Sequence, residues 1–134
     1  MPQVNIEVVG EPPSPVQRAS VSAKITELMV DILGRTRKLV LVSVSSSAAS
    51  NWTVGGEVPR ETGRLGLQAI IRIPAGTATD EQKAQMIAAT TTVLRSELGE
   101  PIFPLYVTFD EVAPTAFGYN GRTIAEIAAA KTTG

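Results

Sequence analysis

The chain carries few groups that do chemistry. It has no Cys and no His among 134 residues. That removes thiolate nucleophiles, Ser-His-Asp triads, imidazole bases and most zinc sites. A proton-transfer reaction here must use a carboxylate, a Lys, a Tyr or the chain terminus. Asp110-Glu111 is the only adjacent carboxylate pair that follows a strand-like run; it either activates water or ends a strand in solvent. Arg72 stands inside the apolar run Ala69 to Ile73, where a charge requires a ligand or a partner such as Glu7. Aromatic residues are limited to one Trp, two Tyr and three Phe, so their positions are informative. Tyr106 and Tyr119 carry hydroxyls able to donate to a developing oxyanion. Gly55-Gly56 is followed by neither Lys-Ser/Thr nor a helix, so it reads as a hairpin turn and not as a phosphate cradle. Nothing in the sequence implies a metal or an organic cofactor.

These residues are positioned by a repeat. Laid on itself, the chain superimposes residues 2–58 on 67–123 without a gap. Gln3 meets Gln68, Ile6 meets Ile71, and Gln17-Arg18-Ala19 meets Gln82-Lys83-Ala84. Leu33-Gly34 meets Leu98-Gly99, Val42 meets Val107, Trp52 meets Phe117 and Gly56 meets Gly121. The matches fall on the same structural punctuation in both halves. Gln3 to Val9 alternates polar and apolar residues as a strand does, with Gln68 to Ile73 as its counterpart. A helix is expected from Pro15 to Leu33, entered through Ser14 and Pro15, with Val21, Ile25, Leu28 and Ile32 on its apolar face. A second is expected from Thr79 to Gly99, with Ile87, Leu94 and Leu98 inward. Second strands follow at Leu39 to Ser45 and Leu105 to Asp110.

Each half is therefore a β-α-β unit whose strands are parallel and joined by a right-handed crossover. The expected fold is α+β, a four-stranded sheet with two helices on one face. The chain is one domain: a first unit over 2–58, a linker over 59–66, a second unit over 67–123 and a C-terminal tail over 124–134. The bare sheet face, expected to be largely apolar, would be covered by another copy of the chain.

Composition narrows the partners. Twelve basic and thirteen acidic residues give a formal charge of -1, which offers no electrostatic footprint for nucleic acid or an anionic membrane. No signal peptide or spanning segment is apparent, and the expected location is cytoplasmic.

A Met-Pro start, a strand, an amphipathic helix, a second strand and then an aromatic-x-x-Gly-Gly hairpin resembles the tautomerase superfamily, and 4-oxalocrotonate tautomerase most of all. The motif here is Pro2 with Trp52-Thr53-Val54-Gly55-Gly56-Glu57. A degenerate copy stands at Phe117-Gly118-Tyr119-Asn120-Gly121-Arg122, and Thr79 to Lys83 resembles the start of the family's first helix. The length is similar to that of fused members, in which two subunit-sized units are joined. The resemblance implies catalysis by Pro2 once Met1 is removed: its secondary amine would act as general base in keto–enol tautomerisation of a small 2-oxo or enol acid. It also implies a homotrimer, pocket-shaping roles for Trp52 and Phe117, and one proline site per chain, because the second unit starts mid-chain at Leu67.

The sequence departs from the family where that family places two arginines. The equivalents are Pro12 and Thr77 after the first strand of each unit, and Leu41 and Tyr106 on the second. Arg72 is the best substitute for binding a carboxylate or stabilising an enolate, with Arg122 as a further candidate and Tyr106 or Tyr119 as hydrogen-bond donors. Two other readings stand beside this one. One is a hydratase or decarboxylase that uses a protonated proline as acid. The other is a non-enzymatic small-ligand-binding or assembly module of ferredoxin-like topology.

Overall fold

The computed structural model describes residues 2–59 and 63–133. Six strands and three helices follow in chain order. They are β1 (Gln3–Val9), α1 (Pro15–Asp31), β2 (Leu41–Ser47), β3 (Gly66–Pro74), α2 (Asp80–Leu98), β4 (Tyr106–Val112), β5 (Gly118–Tyr119), β6 (Arg122–Thr123) and α3 (Ile124–Thr133). The first four strands form one sheet in the order β2-β1-β3-β4. β1 and β2 are parallel, as are β3 and β4, while β1 and β3 pair antiparallel. The α+β architecture expected from the repeat is present.

The repeat extends to single hydrogen bonds. Ser14 and Thr79 each cap a helix through a capping box, with Gln17 and Gln82 as the reciprocal partners. Those glutamines then cross between units: Gln17 Nε2 donates to the Glu97 carbonyl at 3.5 Å and Gln82 Nε2 to the Ile32 carbonyl at 3.3 Å. Val21, Ile25 and Met29 of α1 are buried, and so are their counterparts Met86, Thr90 and Leu94 of α2. Against them pack Val4, Ile6 and Val8 of β1 and Leu67, Ala69, Ile71 and Ile73 of β3.

Several boundaries differ from the sequence reading. β2 starts at Leu41, because Arg37–Leu39 first make a 3-10 turn. On α2, Leu94 is buried and Leu98 packs against the core as expected, but Met86 takes the inward position expected of Ile87, which is 37% exposed. The segment 124–134, read as a tail, carries α3 over Ile124–Thr133. Its alanine-rich composition favours helix, but too few polar positions interrupt it to give a clear periodicity. Part of the expected 59–66 linker, residues 60–62, lies outside the described residues, and so does Met1. Gly66 belongs to β3.

The bare sheet face is not largely apolar. Registers place Gln3, Asn5 and Glu7 of β1 beside Ser43 and Ser45 of β2, and beside Arg72 and Gln68 of β3. These side chains bond one another: Asn5 to Ser43 at 2.6 Å, Gln68 to Glu7 at 2.6 Å and Ser47 to Glu7 at 3.0 Å. Alternation along β1 thus puts its apolar residues under the helices and its polar residues on the open face.

Both hairpins turn on left-handed residues. Gly55 and Gly56 have φ of 62° and 84°, and Asn120 and Gly121 have φ of 52° and 82°, as a two-residue hairpin turn requires. Gly118 is needed for a different reason: a Cβ there would lie 2.3 Å from the Arg122 carbonyl oxygen. Gly118→Ala must therefore open the β5–β6 hairpin, with a loss of about 1–3 kcal/mol that thermal unfolding measures as a lower Tm.

Candidate active site

Because β1 and β3 run in opposite directions, the two units present their strand starts at opposite ends of the sheet. The separation along β1 is about 20 Å at the usual rise per residue. The chemistry-bearing residues divide between these ends.

At one end stands Pro2. It is buried, and its carbonyl accepts from the Leu41 amide at 3.1 Å. Leu39, two residues before Leu41, shares a cleft of about 190 Å³ with Tyr119, Ile124, Ile127 and Lys131. The second hairpin and α3 therefore reach the β2 side of this end. Phe117 is 7% exposed, and its carbonyl takes the Ile124 amide at 2.7 Å, which ties the hairpin to the helix.

At the other end stands Trp52. Its indole packs on Gly66, where an added Cβ would sit 3.1 Å from Cε2 and 3.3 Å from Nε1. The buried Nε1 has no hydrogen-bond partner. A cavity of about 500 Å³ lies here among Asn51, Trp52, Val54, Pro104 and Tyr106. The repeat places Leu67 at this end where Pro2 stands at the first. Leu67 is fully buried, and its nitrogen is a mid-chain amide without basicity. The structure thus brings Pro2 to the end whose β2 side Tyr119 and the hairpin of Phe117 reach, and brings Trp52 and Tyr106 together at the far end of the same chain.

Arg72 lies on the open sheet face. Its Nε donates to Asp110 at 3.1 Å, and its Nη1 bonds the Asn5 side-chain oxygen. The expected partner Glu7 is instead held by Gln68 and Ser47. Asp110 and Glu111 point to opposite faces, as neighbours on a strand must. Asp110 meets Arg72, while Glu111 meets Lys83 at 3.2 Å. Glu111 and Asp80 raise the Lys83 pKa by hydrogen bonding to its charged form. Each carboxylate of the pair is thus matched by its own cation, on opposite faces of the sheet. Arg122 is exposed and reaches Glu126 only at 4.0 Å.

One group absent from the sequence reading stands at the Pro2 end. After α1, Gly34 adopts φ 65°, and the amides of Gly34 and Arg35 turn back on the Val30 and Met29 carbonyls. This projects Arg35 towards the turn after β3, where Nη2 donates to the Thr77 carbonyl at 2.9 Å and to its hydroxyl at 3.0 Å. Burial lowers the Arg35 pKa from its ordinary value, though a guanidinium remains charged. Arg35 falls in a loop with no periodicity, so only the tertiary fold reveals it. Lys131 lies on α3, whose alanine-rich sequence gives no polar–apolar pattern to mark it.

A family model described as "Tautomerase enzyme" matches the chain twice, over residues 2–62 and 69–127. The chain belongs to this family, and its two matches place it with the fused, 4-OT-like members. "Probable tautomerase K2" of Dickeya dadantii (strain 3937) is 33% identical over 57 residues, covering 42% of this chain and 85% of that protein. That span is about one repeat unit. Native fused 4-OT is 26% identical with a TM-score of 0.76, over 92% of this chain and 98% of that one. A fused 4-OT solved as an asymmetric trimer is 25% identical with a TM-score of 0.78, over the same shares. Among the described residues no group of acidic side chains is placed to hold a metal ion, and no helix is long and apolar enough to cross a membrane.

Trp52 is the sole tryptophan, so its emission reports the far end alone. Gly66→Ala sets a methyl against the indole and is expected to expose the ring, seen as red-shifted emission and stronger acrylamide quenching.

Proposed function

We propose that this protein interconverts the keto and enol forms of a small 2-oxo acid, with the Pro2 amine as general base. The observation that carries this reading is the placement of Pro2. In a chain whose two halves both match the tautomerase family, it is buried beside the start of β2, the side on which Leu39 shares a cleft with Tyr119, Ile124 and Ile127. The amine exists only after Met1 is removed, because in a Met1-Pro2 amide the nitrogen lone pair is delocalised into the carbonyl.

The physical reason is charge solvation. An α-amino group has a reference pKa of about 7.7–8.0, and an apolar surrounding disfavours its charged form. A neutral Pro2 nitrogen then takes the proton from the carbon beside the keto group. The C–H electron pair becomes the enolate C=C bond, and the carbonyl π pair moves to oxygen. Return of the proton to that oxygen gives the enol and restores the neutral amine. The reverse sequence converts enol to keto acid. Tyr119, lining the cleft, is the candidate donor to the enolate oxygen.

The assembly we propose is a homotrimer, in keeping with the fused 4-OT trimer. Leu41 and Tyr106 open the two edge strands at equivalent positions of the repeat and are 52% and 65% exposed. Apolar groups displayed twice in this way suit contact with neighbouring copies. Arg72, Trp52 and Tyr106 are placed on the open face or far end and would meet substrate only across such contacts.

Pro2→Ala is expected to lower kcat for enol-to-keto conversion by about 10²–10⁴-fold at unchanged Tm. Activity of the native enzyme should rise with pH through the amine pKa. A fall through that pKa would instead assign Pro2 as a protonated acid, as hydration or decarboxylation requires. Sedimentation should give about three times the 14.1 kDa chain mass, and Leu41→Asp with Tyr106→Asp should reduce it towards one.

A further inference from the structure

The two ends of the sheet differ in charge as well as in the amine. The segment leading into β2 at the Pro2 end reads Arg35-Thr36-Arg37-Lys38-Leu39. Its counterpart at the far end, in the alignment of the two halves, reads Glu100-Pro101-Ile102-Phe103-Pro104. The hairpins differ in the same sense: Arg122 belongs to the second hairpin, and its counterpart in the first is Glu57. Arg35, Arg37, Lys38 and Arg122 are thus answered by Glu100, Ile102, Phe103 and Glu57. Positive charge at one end gives way to carboxylates and apolar groups at the other, and the field at the far end is reversed.

The far-end cavity of about 500 Å³ lies between the two altered segments. Pro104 and Tyr106 come from the strand entry, and Asn51, Trp52 and Val54 from the hairpin. Its volume is that of a small-molecule site, and among the described residues no charged side chain lines it. Two of its walls are aromatic: Trp52, half-buried on Gly66, and the exposed Tyr106. Glu57 pairs across the hairpin with Val54 of the cavity wall, their backbones exchanging hydrogen bonds of 2.8 and 3.2 Å. The Glu57 side chain is exposed, and no cation among the described residues holds it. Glu100 is held by Arg95 at 3.3 Å. Arg64 borders a separate small pocket with Val9, Trp52 and Ile102, not this cavity.

We infer that the far end of each chain is a second, non-catalytic site that binds a small organic cation of the quaternary ammonium class. The ammonium group lies against the Trp52 and Tyr106 rings, whose π-electrons attract a cation, and Glu57 supplies the opposite charge at the rim. A methylated ammonium spreads its charge over methyl groups and has no N–H to satisfy, which suits a cavity of aromatic and uncharged walls. Leu67 offers no amine there, so the ligand is held and not converted. Tyr106 also stands at the edge proposed to meet a neighbouring copy, so the site belongs to the native assembly and is tested in it.

Trp52 is the sole tryptophan, so its indole N–H gives a single side-chain signal in a ¹H–¹⁵N NMR spectrum of the native protein. Choline is the probe, and 3,3-dimethylbutan-1-ol is its neutral isostere. Choline is expected to shift the indole signal saturably, and the isostere to bind at least about tenfold more weakly. Glu57→Gln should weaken choline binding about threefold, and Glu57→Arg, which restores the charge of the other hairpin, should weaken it further. Pro2→Ala should bind choline as the native protein does, so the site stands or falls independently of the catalytic reading. The absence of a saturable shift would overturn the assignment, as would equal affinity for the isostere or a choline affinity indifferent to both Glu57 variants. Loss of binding in Pro2→Ala would place the cation at the other end and overturn it too.

Discussion

The antiparallel pairing of β1 with β3 is the constraint on which the rest depends. Each β-α-β unit alone would leave its first strand as an unpaired edge. Joining the two first strands, Gln3 opposite Arg72 and Val9 opposite Gly66, puts both at the sheet centre and leaves β2 and β4 outside. It also sets α1 beside α2, so that each capping glutamine reaches the last turn of the other helix. A parallel join would have placed both strand starts at one end. The antiparallel join places them at opposite ends, and each end carries its own cavity, about 190 Å³ beside Leu39 and about 500 Å³ beside Trp52.

The two ends differ at the first position of the repeat. One end receives Pro2 and the other receives Leu67, whose nitrogen is an amide. Each hairpin lies against the strand starts of the other unit: Phe117 and Tyr119 belong to the second unit but stand at the end of the first. The tandem arrangement therefore supplies in one chain what two separate subunits would have to bring together. The open face remains polar and internally bonded, with Arg72 held by Asp110 and Asn5, so its charges stabilise the sheet where no helix covers it.

Much of this was legible in the sequence, because it is local. Alternation marks the strands, Ser14 and Thr79 mark the helix starts, and Gly34, Gly56, Gly99 and Gly121 mark the turns. The correspondence between halves exposed the fold class and, with the Met-Pro start, the family. What was not legible depends on tertiary placement. Arg72 looks isolated in an apolar strand, yet its partners come from two other strands, 67 and 38 residues away. Trp52 and Phe117 look equivalent and are, but they serve opposite ends. Arg35 gives no signal at all until Gly34 turns it onto Thr77. The helix at 124–133 was missed because alanine carries propensity without a polar–apolar pattern.

The central claim is that Pro2 is a free amine whose surroundings favour its neutral form. The most direct measurement is a pH titration of the native protein labelled with ¹⁵N-proline, following the Pro2 nitrogen by NMR. The account predicts a titrating secondary amine whose midpoint lies below that of the same amine in the unfolded chain. A Pro2 nitrogen that does not titrate, because Met1 remains attached, or one whose midpoint is the same folded and unfolded, would contradict it.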